Sequence, residues 1–266
     1  MARTRLPPPV SPEPADPVAA GGSSAERCLR LLAVLAQEGR ALSLAELGVR
    51  LGLPKATTHR LCTQLVEGGF LARDSDEKNF AVGPALRRLA FDTLNHGTVR
   101  GLRHEVLAAL VMQVGETCNF TTLDGTEVLY IDRVEAQWPL RLTLDVGSHV
   151  PLHCTASGKL FLAHMPPPRR DAVLASLALP KMTGHTLTTR AALQRECSRI
   201  VEQGHSCDNE EFIAGLIAVA VPVRDGEGHV RAAIAVHAPV ARMSLRQATA
   251  ALPRLRVAAT RMEALL

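Results

Sequence analysis

The sequence predicts an α+β chain: an N-terminal winged helix-turn-helix, a linker helix, and a C-terminal α/β domain whose helices pack around an antiparallel sheet. Three observations carry this. Between Ser43 and Phe80, Leu44, Leu47 and Leu51 recur at helical steps, Gly52 stops that helix, Pro54 opens a second, and two short apolar segments follow. From Glu116 the pattern changes to alternation, as in Cys118, Phe120 and Thr122, followed by the hairpin signal Asp124-Gly125. Near the end, Leu216–Val223 and Val230–His237 are two apolar segments joined by the turn Asp225-Gly226-Glu227-Gly228.

Residues 1–22 carry five prolines between Pro7 and Pro14, then Pro17 and a Gly-Gly, and predict a disordered tail. Ser24 is placed to cap a helix whose apolar face is Cys28, Leu31, Leu32 and Leu35, and Gly39 ends it. Ser43 and Glu46 form a capping box for the next helix. Pro54 then occupies a first helical position, where a missing N–H costs nothing, and the third helix runs to Glu67. Gly68-Gly69 stops it, and segments 70–73 and 79–82 make a hairpin with a polar tip. A domain of this size, spanning 23–82, is marginal alone and gains from a partner subunit.

The third helix has a legible wheel at about 100° per residue. With Leu61 and Leu65 on the core, His59 and Thr63 fall opposite, flanked by Lys55, Ala56 and Arg60. Thr57 lies nearer the core side and Thr58 on a flank, their hydroxyls suited to phosphate contacts or to capping. Cations for phosphates and guanine edges, with an imidazole and hydroxyls for shorter contacts, are what a DNA major groove accepts. Arg73 and Lys78 on the hairpin are candidate phosphate contacts. The net charge of +4 announces no global affinity for nucleic acid, but residues 50–60 contain Arg50, Lys55 and Arg60 and no acid.

Gly83-Pro84 opens a linker helix, with Leu86, Leu89, Ala90 and Leu94 in helical spacing, and Asn95-His96-Gly97 breaks it, giving a boundary near 97. Val99, Leu102, Val106 and Leu110 mark another helix, stopped by Gly115. Beyond the first hairpin, Leu140–Val146 reads as a third strand, and 147–159 as a loop feeding a helix to about Ala163, closed by Pro166–Pro168. Helices follow over 169–176 and 189–203, and Ser244–Leu266 closes the chain with a kink at Pro253. Hydrophobic residues make up 47% and charged ones 21%, the balance of an ordinary globular chain. Six isolated cysteines, no secretory leader and no apolar run near the ~18 residues of a membrane span point to a cytoplasmic protein with no membrane partner.

Three blocks, in this order, resemble one family. They are the Pro54–Glu67 helix with His59-Arg60-Leu61, the loop Gly147-Ser-x-x-Pro-Leu-His-Cys-Thr-Ala-x-Gly-Lys159, and Gly204-His-Ser-x-Asp208-Asn-Glu-Glu211. Together, over residues 24–266, they are similar to the IclR family of bacterial transcriptional regulators, named for the isocitrate lyase (acetate operon) repressor. The resemblance implies a ligand-responsive regulator of a catabolic or transport operon, with a GAF-like effector-binding domain over 98–266. It also implies homodimers or tetramers (dimers of dimers) on double-stranded operator DNA, repressing or activating. Carried over position by position, amides of Ala156 and Ser157 would hold the carboxylate of a small organic acid. Leu142, Val150 and Cys154 would form walls, and Asp208, Ala218, Ala235 and His237 would complete the ring. The naming repressor has cysteine in place of Ala218 and serines in place of Ala235 and His237. That departure points to a larger acid, an aromatic one among the candidates, whose anion or ring hydroxyl meets His237.

Two other classes compete. A hydrolase-like enzyme would use Cys154 or Ser157 as nucleophile, His153 or His237 as base and Asp208 as orienter. No Gly-x-Ser-x-Gly elbow, Walker loop or paired-carboxylate pattern supports it, so no catalytic residue is expected. A DNA-binding protein with a purely structural C-terminal domain is the third. Cys118, His153, Cys154, His205, Cys207 and His237 could be drawn together around a metal, but no pair has zinc-ligand spacing beyond the adjacent His153-Cys154, and neighbours in an extended loop point apart, so neither metal nor cofactor is expected.

Overall fold

The computed structural model describes residues 22–74, 77–95, 97–139 and 144–266. They form two compact units, divided between Ala90 and Phe91. The expected N-terminal tail, all but Gly22, lies outside the described residues.

The first unit runs α1 (Ser24–Glu38), β1 (Leu42–Ser43), α2 (Leu44–Leu51), α3 (Lys55–Glu67), β2 (Leu71–Arg73), β3 (Asn79–Val82) and the start of α4 (Pro84–Asn95). Local chemistry sets its boundaries. Ser23, one residue before the expected cap, accepts the Glu26 amide at α1. At α2 the capping box forms: the Glu46 amide donates to Ser43 Oγ and the Ser43 amide to Glu46 Oε2, at 3.3 and 2.9 Å. That amide, with Arg40 behind it, holds the Glu46 carboxyl down to about 2. Gly39 and Gly52 close their helices in the left-handed conformation that costs glycine nothing. Pro54 is the N-cap of α3, not its first helical residue. The wing gains an unforeseen strand: β1 pairs with β3, Leu42 opposite Phe80, giving the order β1-β3-β2. Leu31, Leu35, Leu47, Leu61, Leu65 and Phe80 meet in one core, each contributing about 1.5–3 kcal/mol by burial.

The second unit adds α5 (Gly97–Val114), β4 (Thr117–Asp124), β5 (Glu127–Val134), β6 (His149–Pro151), α6 (Ala156–His164), α7 (Pro167–Ser176), α8 (Arg190–Gln203), β7 (Ser206–Asn209), β8 (Leu216–Arg224), β9 (Val230–Pro239), α9 (Leu245–Ala250) and α10 (Leu252–Glu263). Its strands make one antiparallel sheet, β6-β5-β4-β9-β8-β7. The central strands carry different sizes on their two faces. Val219, Val221, Ile234 and Val236 pack against α5, α9 and α10. Ala220, Ala233 and Ala235 lie on the other face, under α6 and α8. Small side chains there let α6 approach closely and leave space for a cavity.

Several expectations change. The anticipated strand 140–146 falls partly on residues 140–143, outside those described, and Leu144–Val146 form no strand. The strand beside β5 is β6, with Val150 opposite Val128. The four-residue β7 was not foreseen, since Ser-Cys-Asp-Asn lacks the β-branched signature of a strand. Pro167 and Pro168 open α7 instead of merely closing α6. At Pro253 the closing segment splits into α9 and α10, where a single kink was expected.

Candidate functional site

In the first unit, α3 presents Lys55, His59 and Arg60 to solvent, with Thr57 and Thr63 half-buried. Lys55 and Arg60 have no ion-pair partner among the described residues, whereas Arg50 is held by Glu38 at 2.8 Å. Thr63 Oγ1 donates back to His59 O at 3.1 Å. Thr58 is corrected: its side chain is fully buried, donating to Pro54 O at 3.1 Å, so it reaches no ligand and belongs to the core. Its burial agrees with an ideal helix: at about 100° per residue Thr58 stands three positions before Leu61 and seven before Leu65, on their face and not on a flank. On the wing, Arg73 stacks 4.9 Å over Phe80 and donates to Glu77 O, which keeps its charge at the wing's edge. Lys78 is exposed.

In the second unit a cavity of about 30 Å3 lies between the alanine face of the sheet and the start of α6. Ala156 and Ser157 line it from the first turn of α6. Their amides precede the intrahelical ladder, and the Thr155 cap takes the next one, Gly158 N, at 3.1 Å. An anion here would meet unpaired donors and the positive helix end. Gly158 is required for this geometry: an added Cβ would sit 2.5 Å from Leu152 Cα and 2.6 Å from Thr155 Oγ1.

Across the floor, Asp208 on β7, Ala218 on β8 and His237 on β9 stand directly opposite one another. Ala235 and Val150 also line the cavity. Asp208 Oδ1 accepts the Glu211 and Phe212 amides at 2.7 and 3.4 Å. Burial nevertheless pushes its carboxyl up to about 7, with the Glu211 charge adding to the rise. His237 is driven down to about 3, first by burial and then by the Arg133 charge. Its Nδ1 lies 2.8 Å from Asn119 Nδ2, and its Nε2 is buried with no partner among the described residues.

Two carried-over residues do not join them. Leu142 lies outside the described residues. Cys154 is fully buried and is not among the cavity's lining residues, its thiol pushed up to about 12 by burial and then by the Asp208 and Glu211 charges. A thiol so held is no nucleophile at neutral pH. His153 is committed to Pro180 O at 2.9 Å, and Ser157 has no hydrogen bond to either histidine among the described residues. Cys118 and Cys207 pack on the opposite face of the sheet from His237, so the six metal-type residues do not converge. The sequence reading missed Asn119, Tyr130, Thr155 and Phe212, which also line the cavity. Asn119 had a signal, a polar residue set between apolar Cys118 and Phe120. Lys159 is buried and paired with Glu211, which joins the 147–159 and 204–211 blocks.

Residues 24–75 match the family profile of the IclR helix-turn-helix domain, and residues 91–264 match that of the bacterial transcriptional regulator IclR C-terminal domain. The chain belongs to the IclR family of transcriptional regulators. The chain is 42% identical to the probable transcriptional regulator SauR of Cupriavidus necator over 90% of this chain and 95% of that one. It is 29% identical to the transcriptional repressor IclR of Escherichia coli over 83% of this chain and 81% of that one. A solved IclR homologue from Microbacterium hydrocarbonoxydans, complexed with 4-hydroxybenzoate, superposes with a TM-score of 0.57 at 27% identity, covering 92% of this chain and 99% of that one. The IclR helix-turn-helix match thus ends two residues after β2, and the IclR C-terminal match opens one residue after Ala90, where the compact units divide. No described helix is long and apolar enough to cross a membrane.

Proposed function

We propose that this chain is a ligand-responsive, DNA-binding regulator of a catabolic or transport operon, and that its C-terminal unit senses a small organic acid. The observation that carries the reading is the cavity at the start of α6, lined by Ala156 and Ser157 with their free amides, by Ala218 and Ala235, and by His237, whose Nε2 is buried with no partner among the described residues. A carboxylate on Ala156 and Ser157 would satisfy the first pair. The cavity holds little more than a water or two as it stands, so a short acid enters with the least rearrangement. An aromatic acid like the 4-hydroxybenzoate held by the Microbacterium homologue would require the cavity to widen.

On the DNA side, Lys55, His59, Arg60 and Thr63 would enter the major groove, with Thr57, Arg73 and Lys78 on phosphates. A homodimer or a dimer of dimers in the cytoplasm would place paired recognition helices on operator half-sites. Acid binding would favour one arrangement of protomers over another and so change operator affinity, without turnover of the acid. The test is a thermal-shift screen of organic acids, aliphatic and aromatic, followed by mobility shifts on the DNA upstream of the neighbouring genes. Specific binding raises the melting temperature by mass action. The reading expects one acid both to raise it and to alter operator affinity while being recovered unchanged. A broad panel with no stabilising acid would refute sensing, and conversion of the acid would make the chain an enzyme.

A further inference from the structure

The imidazole of His237 has two ring nitrogens, and the structure treats them differently. Nδ1 lies 2.8 Å from the Asn119 amide, while Nε2 is buried with no partner among the described residues. On the far side of Asn119, Arg133 Nη1 donates to Oδ1 at 3.1 Å. A guanidinium can only donate, so that corner of the amide is its oxygen and the NH2 group faces His237. An NH2 group can also only donate, so Nδ1 must accept and carries no proton. A neutral imidazole then holds its one proton on Nε2.

The geometry points to Asn119 and Arg133 as specificity-determining residues that lock His237 as a neutral Nε2–H donor, so that the pocket selects acids bearing a hydrogen-bond acceptor at the end remote from the carboxylate. This rests on the organic-acid reading above and names the chemistry of the ligand's second end. Cross-strand placement supports it. Asn119 stands opposite both Ala235 on β9 and Arg133 on β5, so the relay and the cavity floor share one face of the sheet. Burial and the Arg133 charge also disfavour a second proton on the ring. A buried donor without an acceptor is costly, and a ligand oxygen recovers that cost where an ammonium group adds a second donor. Oxo acids, diacids and other acids with a terminal oxyanion are therefore preferred over amino acids of equal length.

The experiment uses the full chain labelled with 15N-histidine, the His237→Gln spectrum assigning the resonance. At neutral pH the expected signature is the neutral Nε2–H tautomer. An Nδ1–H tautomer, or an imidazolium, overturns the inference with no ligand needed. Binding is then measured with malonate, propionate and β-alanine, which end in an acceptor, an apolar group and a donor. Malonate should bind about tenfold more tightly than β-alanine; equal or reversed affinity overturns the selection. Asn119→Asp places an acceptor beside Nδ1, moves the proton there and leaves Nε2 bare, so the order should invert, and an unchanged order in a folded variant overturns the lock. Should that variant not fold, the wild-type tautomer and the three affinities still decide. An Nδ1–H tautomer alongside a bound acid sinks this inference alone. A correct tautomer with no acid bound from a broad panel sinks the selection together with the sensing reading.

Discussion

Thr58 and Arg60 stand two residues apart on one helix and are expected to fail differently. Thr58→Ala removes a buried methyl and the hydroxyl bond to Pro54 O, so it should cost about 1–2 kcal/mol of stability in urea unfolding of the full chain. Operator affinity below the melting transition should stay unchanged. Asp208 makes the second residue-scale prediction. Its folded carboxyl titrates at about 7 against an ordinary value of 3.8, so folding takes up a proton between those values and stability falls as pH rises through that window. Asp208→Asn keeps an oxygen for the Glu211 and Phe212 amides, removes that loss, and should melt higher than wild type at pH 8. The difference should vanish at the acid end of the window. His237 acts oppositely, its folded value of about 3 lying below 6.5, so it favours folding as pH rises through 3 to 6.5. Melting temperatures of both chains across pH check this; an Asn variant less stable than wild type at pH 8 would contradict it. The residue types around the cavity could be read from the sequence, but their protonation could not. A carboxyl at about 7 and, two strands away, an imidazole at about 3 result from burial, which one strand's sequence does not contain.

At the scale of elements, what was legible was what is local. The Ser43–Glu46 box, the glycine stops and the Asp124-Gly125 turn each act within four residues, so sequence alone predicts them and the structure contains them. Elements held by distant partners were not legible. β1 and β7 exist because β3 and β8 supply their hydrogen bonds. Gly158 lies between these cases: Leu152 and Thr155, six and three residues before it, crowd its Cα because the loop folds back onto the first turn of α6. Gly158→Ala should therefore displace the first turn of α6. The expected outcome is a lower melting temperature of the full chain and loss of acid binding, read by calorimetry, with operator binding in the cold retained. Retained acid affinity would show that the α6 amides do not hold the ligand.

Over the whole molecule, two compact units carry two candidate sites, and each unit has its own core. Substitutions should divide accordingly. Arg60→Ala should lower operator affinity by about tenfold or more, the scale of one lost guanidinium contact, and leave acid binding intact. His237→Ala should abolish acid binding and its effect on operator affinity, while DNA binding without acid persists. Mobility shifts and titration calorimetry on the same two proteins check both. Folded variants that each lost both activities would refute the division.

By itself the sequence determined the class: a winged helix-turn-helix ahead of an antiparallel α/β domain, and membership of the IclR family through three blocks in order. Local periodicity, caps and turn chemistry suffice for that, because they act over a few residues of contiguous chain. The tertiary structure alone decided that Cys154 lies off the cavity, and that Lys159 and Glu211 tie two of those blocks together. It also decided that Arg133, through Asn119, sets which nitrogen of His237 is left to a ligand. These are outcomes of strand register and burial, which bring residues more than a hundred positions apart into one hydrogen-bonded row.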